Sequence, residues 1–150
     1  MSKNVEIKLI VDASSLYAMK DPTQKEVENA CKLEDNNNGN SPNGTIDDFT
    51  SQVYLDKEVK WKGKTKDNGY SIAIDCITYE PKTKDPNDED FFDETVINGS
   101  GGKNGEVNAK VKNNKKLIGK IDVYSINFSS HNHDSSSYSF HIDPKLLGNS

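Results

Sequence analysis

No arginine occurs anywhere in the 150 residues; all 19 basic side chains are lysines. The chain therefore lacks the bidentate guanidinium fork that base edges and phosphates favour. Its lysines are interleaved with 24 acids, for a net charge of -5, so no basic footprint forms and nucleic acid is not an expected partner. Cysteine is scarce too. Cys31 and Cys76 make neither a CxxC nor a metal-ligand spacing, and nothing demands a disulfide between them. Long apolar runs are missing. Charges interrupt every one, and Met1–Lys8 contains no apolar segment of signal-peptide length, so neither export nor a membrane span is expected. Also lacking are a GxSxG elbow, an HExxH pair, a Walker loop and a cysteine-nucleophile pattern. No acid, base and orienting residue can be assembled from what remains, so the expectation is a protein that is not an enzyme.

What the chain does have is alternation. Its hydrophobic fraction is only 32%, which suits strands with one wet face, and 150 residues are enough for one domain spanning 1–150. Val5, Ile7, Leu9 and Val11 share one parity in a first strand, with Ile10 on the other side. Ala13–Met19 reads as one helical turn. Thr23 followed by Glu26 reads as a capping box, with Val27, Ala30 and Cys31 at helical spacing, so a short helix is expected in a long excursion. Glu34–Asp48 reads as loop, and Ser51–Leu55 as a short strand. Val59 and Trp61 precede Asn68-Gly69, and Ile72, Ile74 and Cys76 follow it. That pattern predicts a β-hairpin over Glu58–Tyr79 burying the single tryptophan.

Phe91 and Phe92 are expected to anchor an acidic segment, Pro81–Glu94, and Asn98–Gly105 reads as a flexible turn. Glu106–Lys112 alternates again. Lys116–Ser129 reads as a long strand whose inward parity switches near Gly119–Val123 through a β-bulge. In the last unit Tyr138, Phe140 and Ile142 are expected inward, with Ser139, His141 and Asp143 outward, and Asp143-Pro144 is expected to end the strand. Together these segments predict an all-β fold: an antiparallel β-sandwich, jelly-roll-like, with a short helix in a long loop.

The candidate site lies in His131, Asn132, His133 and Asp134. Two histidines at i, i+2 beside an aspartate have the donors for Zn²⁺ or Cu²⁺, although a structural zinc site takes four ligands and a polar turn is the plainer reading. Calcium is the other possible ion. Asp35–Asn43 is acidic and amide-rich, and Asp85, Asn87 and Glu89 have a 1-3-5 spacing. Asp90 at position 6 and Val96 at position 12 exclude an EF-hand. A calcium-dependent carbohydrate-binding module, using the loops near Asp35–Asn43 or His131–Ser137 to hold a glycan, is the alternative function. Otherwise no cofactor is expected.

Three segments carry a family resemblance: Ile10–Ala13, a strand finishing Ile-Val-Asp-Ala; Leu55–Trp61, an acidic turn entering a Val-x-Trp strand; and Tyr138–Pro144, an aromatic strand closing on Asp-Pro. Their order resembles the PixA/AidA family of bacterial inclusion-body proteins. The resemblance implies a β-sandwich that accumulates in the cytoplasm and self-associates as a homo-oligomer, and it carries over no catalytic residue. The chain departs from the methionine-rich inclusion proteins in having only Met1 and Met19, so a methionine-storage role does not follow.

Overall fold

The computed structural model of the chain describes residues 2–37, 39–80, 88–132 and 136–150. Strand β1 (Val5–Val11) buries Val5, Ile7, Leu9 and Val11 and leaves Ile10 half-buried on its other face, as its alternation requires. Helix α1 (Ala13–Ala18) buries Ala13 and Leu16. Helix α2 (Gln24–Asn29) opens on the expected capping box: the Glu26 N–H donates to Thr23 Oγ1 at 3.2 Å, and the Thr23 N–H donates to Glu26 Oε1 at 2.9 Å. The helix stops short of the expected Ala30 and Cys31. Ala30 is its C-cap, and Cys31 opens strand β2 (Cys31–Asp35), which the acid- and amide-rich composition concealed.

The remaining strands are β3 (Thr50–Tyr54), β4 (Glu58–Lys64), β5 (Tyr70–Tyr79), β6 (Val96–Asn98), β7 (Val107–Lys110), β8 (Ile121–Asn132), β9 (Ser137–Ile142) and β10 (Lys145–Asn149). They form two sheets, a four-stranded one in the order β2-β1-β4-β7 and a six-stranded one in the order β3-β10-β8-β5-β6, with β9 also paired to β8. The fold is an all-β sandwich. It is not wholly antiparallel, because β1 runs parallel to β4 and β3 parallel to β10. One contiguous core lies between the sheets, with Ile7, Leu9, Val59 and Trp61 from the first and Ile72, Ile74, Tyr124, Ile126 and Phe128 from the second. Trp61 is fully buried. Its ring meets Tyr124 and Phe92 edge-on at centroid distances of 5.7 Å, and its Nε1–H donates to the Tyr124 hydroxyl at 3.1 Å. Phe91 and Phe92 are both buried.

The expected hairpin is instead an arch. β4 is hydrogen-bonded to β1 on one side and β7 on the other, and β5 to β6 and β8, so the two strands belong to different sheets. Each carries an apolar parity that needs covering, and covering each other across the core satisfies both. Alternation reports a half-buried strand but not whether its successor lies beside it or opposite. Gly63 allows the approach: a Cβ there would lie 2.5 Å from both the carbonyl oxygen and Cγ2 of Ile72. Gly69, at φ 85°, turns the chain.

Two further expectations change. The bulge lies in β5, where the register shifts between Ile74 and Cys76, and not near Gly119–Val123. Cys76 is therefore half-buried on the face away from the core, beside Thr78 Oγ1, while Ile77 takes the inward place. No switch is needed in β8. The residues before it form a 3-10 turn at Lys115–Leu117 and a glycine with φ 79°, and the strand keeps Asp122, Tyr124, Ile126 and Phe128 inward throughout. β9 ends at Ile142, ahead of Asp143-Pro144 as expected, but the pairing along β8 resumes beyond the proline in β10. Ile126 faces Ile142, Tyr124 donates its N–H to the Pro144 carbonyl at 3.2 Å, and Val123 faces Lys145. The register against β8 is the same on both sides of this break, so β10 continues the line of β9. Both backbone positions of Pro144 face β8, so the proline keeps the carbonyl half of its pair with Tyr124 and lacks the N–H half.

Candidate functional site

His131 lies on the outer face of the six-stranded sheet, opposite Ser71 of β5 and Ser137 of β9. Asn132 follows it directly in β8, so the two side chains leave on opposite faces, and the Asn132 backbone N–H donates to the Ser136 carbonyl at 2.8 Å. His133 and Asp134 lie outside the described residues. His141 is exposed on the same outer face as His131, opposite Asn127.

The partner of His131 is one the sequence does not announce. Its Nε2 lies 2.9 Å from Ser129 Oγ, and that hydroxyl donates to Asp75 Oδ1 at 3.0 Å. Asp75 is the residue at the β5 bulge, which swings its carboxylate onto the Ser129 side. Burial raises its pKa, while the Ser129 hydrogen bond and the charge of His131 pull it back. An Asp, a Ser and a His are thus adjacent, but in the wrong order for nucleophilic catalysis. A serine nucleophile gives its proton to an imidazole that the carboxylate orients. Here the serine sits in the middle, its proton goes to the carboxylate, and it is 5% exposed. The arrangement ties the bulge to β8.

Asp35, the one acid of the Asp35–Asn43 segment expected to hold calcium, is similarly engaged, and so is Asp48 further along. Asp35 Oδ1 accepts the backbone N–H groups of Asn37 and Gly39, and its Oδ2 accepts the Ser51 hydroxyl at 2.6 Å. Asp48 Oδ2 accepts the Asn43 N–H at 2.7 Å. These carboxylates shape the loop by capping its own donors. Between that loop, α2 and β2 lies a groove of about 500 Å³, with Lys25, Glu28 and Lys32 on its rim and Leu33, Ile46 and Phe49 below. Cys31 also lines it, and burial, with the Glu28 charge, pushes its thiol up to about 12, so it stays protonated. Asp85 and Asn87 lie outside the described residues. Among the described residues no group of three or more His, Cys, Asp and Glu side chains is placed to hold a metal ion, and no helix is long and apolar enough to cross a membrane.

The remaining candidate surface is the edge of β9. Along the line of β9 and β10 the even-numbered residues turn their backbone groups toward β8, as Pro144 shows. The odd-numbered ones face away. Lys145 donates its N–H to the Phe49 carbonyl at the start of β3, and the His141 carbonyl accepts from Gln24 Nε2 of α2 at 2.7 Å. Beyond His141 this edge has no neighbouring strand among the described residues, and Ser137, Tyr138 and Ser139 are all exposed. Ile142 is buried, Phe140 is half-buried against Phe128, and Tyr138 is 51% exposed. Tyr138 was expected inward. Its parity is inward, but at this end of the sheet it meets the Tyr17 ring of α1, 5.0 Å away, and Tyr17 in turn packs on Tyr70. The sequence signal for this edge is the absence of any lysine, aspartate or glutamate from Ser137 to Ile142. No family model matches the chain, and no curated protein matches it.

Proposed function

We propose that the protein is a non-enzymatic, self-associating β-sandwich of the bacterial inclusion-body type, resembling the PixA/AidA family and accumulating in the cytoplasm as a homo-oligomer. The observation that carries this reading is the open edge of β9, free of lysine, aspartate and glutamate. Unpaired strand edges template pairing with another chain, and stable monomers blunt them with charge, proline, short length or a cover. The other edges here are guarded. β2 carries Lys32 and Glu34, β6 spans only Val96–Asn98, β7 carries Lys110 paired to Asp56, and Asn37 and Asn40 lie against β3. Sedimentation velocity over a wide concentration range tests the reading. An oligomer that grows with concentration is expected, together with inclusions in overproducing cells. A monomer at every concentration and no inclusions would refute it.

A second reading, a carbohydrate-binding module, is favoured by one feature: the half-exposed Tyr138 ring at the end of the six-stranded sheet, held against Tyr17. The calcium part of that reading is weaker, because Asp35 and Asp48 already accept loop donors. A glycan array run with and without EDTA separates the two readings, and the absence of any hit removes the second.

A further inference from the structure

We propose that β9 pairs with β9 of a second copy, antiparallel and two-fold symmetric about Tyr138, so that the six-stranded sheets of the two copies become one. This rests on the self-association reading and specifies its contact. Three observations select the register. First, the backbone groups able to accept a new strand are those of the odd-numbered residues, and Gln24 already occupies the His141 carbonyl. The open stretch therefore centres on Ser137–Ser139. Second, an antiparallel partner that pairs both Ser137 and Ser139 with described residues and leaves Gln24 in place sets Ser137 against Ser139 of the other copy. Centring on Ser139 instead would set Ser137 against His141 and displace Gln24. Third, Ser137-Tyr138-Ser139 reads the same in both directions, so each strand presents what the other requires.

The pairing has a chemical consequence. Ser137 and Ser139 exchange N–H···O bonds with their opposites, which makes Tyr138 a non-hydrogen-bonded pair with its own copy. In such pairs the Cα atoms are roughly 4.5 Å apart and the side chains are closest. Each ring, already held by Tyr17, covers the other's exposed half. No like charges meet at the centre, since Ser137, Tyr138 and Ser139 carry no ionised side chain of either sign at neutral pH. The same patch on both subunits makes the contact isologous and closed, a dimer. A larger assembly then needs a second surface.

Disulfide trapping tests the register. In a background of Cys31→Ser and Cys76→Ser, shown by sedimentation to remain associated, Tyr138→Cys and Ser139→Cys are each oxidised and run on a non-reducing gel. Tyr138→Cys is expected to give a covalent dimer. Ser139→Cys is expected to cross-link at least tenfold less, because its equivalents lie diagonally, roughly 7–8 Å apart, beyond comfortable disulfide reach. Ser139→Pro removes an outward N–H without touching the bonds to β8 and is expected to release monomer with an unchanged melting temperature. Preferential trapping through Ser139, or association that survives Ser139→Pro with neither cysteine trapped, overturns the register while leaving self-association standing. A background that is monomeric throughout refutes both.

Discussion

Trp61 shows how much a single residue settles. Its ring fills the centre of the core, between Tyr124 on the facing sheet and Phe92 on the acidic segment, and its N–H satisfies a tyrosine hydroxyl that would otherwise be buried alone. Trp61→Ala is expected to cost about 3–5 kcal/mol, read as a lowered denaturation midpoint, with no specific binding defect. An unchanged midpoint would contradict its place in the core. Asp122 is the opposite case, a carboxylate on the inward face of β8 that is 1% exposed. It accepts the Phe91 N–H at 2.9 Å through Oδ2, while its Oδ1 has no hydrogen-bond partner among the described residues. Burial pushes its pKa up to about 8. The Phe91 hydrogen bond and Lys112 pull it back, and Asp90 and Asp88 add to the rise. An unfolded aspartate titrates near about 3.9, so between roughly pH 4 and pH 8 the folded chain holds a proton that the unfolded chain has lost. This group's contribution is therefore fully present below about pH 4 and is lost as pH rises through about 8, with a slope approaching about 1.4 kcal/mol per pH unit. Asp122→Asn keeps an acceptor for Phe91 and cannot ionise. Thermal melts from pH 5 to 9 are expected to show a flatter pH dependence than wild type and a higher melting temperature at the alkaline end. Parallel profiles would contradict the buried carboxyl's role.

At the scale of elements, the arch between β4 and β5 decides the architecture. Its connection is held by side chains. Asp67 accepts the Ser14 N–H at 3.0 Å, which fastens α1 to the crossing and lowers the Asp67 pKa, and Thr65 Oγ1 accepts the Asp67 N–H. The close approach at Gly63 leaves no room for a methyl, because the Ile72 carbonyl belongs to the backbone of the facing sheet. Gly63→Ala is expected to destabilise by about 1–3 kcal/mol through overpacking, measured by chemical denaturation. In a side-by-side hairpin the change would be close to neutral. The capping box of α2 is more local. Thr23→Ala is expected to cost about 1 kcal/mol. It should also loosen Gln24 from the His141 carbonyl, the contact that closes the inner end of the β9 edge.

For the whole molecule, the sandwich satisfies both inner faces and guards most of its edges, leaving β9 as the edge at which the proposed neighbour would add to the sheet. A net charge of -5 opposes close approach of copies. Self-association through a strand free of lysine and acid is therefore expected to strengthen as salt screens the molecules, with the sedimentation coefficient rising between about 0.05 and 0.5 M salt. Weakening over that range would indicate a contact built on ion pairs.

The sequence by itself determined most of the strands, though not β2, β6 or β10, and which side of most of them is wet. Period-two alternation is a property of the chain, and Val5–Val11, Val59, Trp61, Ile72 and Ile74 carried it unmistakably. The Thr23–Glu26 capping box was legible for the same reason, because its partners are three residues apart. Only the tertiary structure decided which strand lies beside which. It made an arch of the expected hairpin, paired β1 and β3 with parallel neighbours, and continued the line of β9 in β10 beyond Pro144. It also moved the bulge to Asp75, which placed that carboxylate beside Ser129 and His131. The physical reason is that hydrogen-bond ladders are identical for every strand. A strand's own residues state that it must pair and bury one face, while the choice of partner is made by the packing of all the strands together.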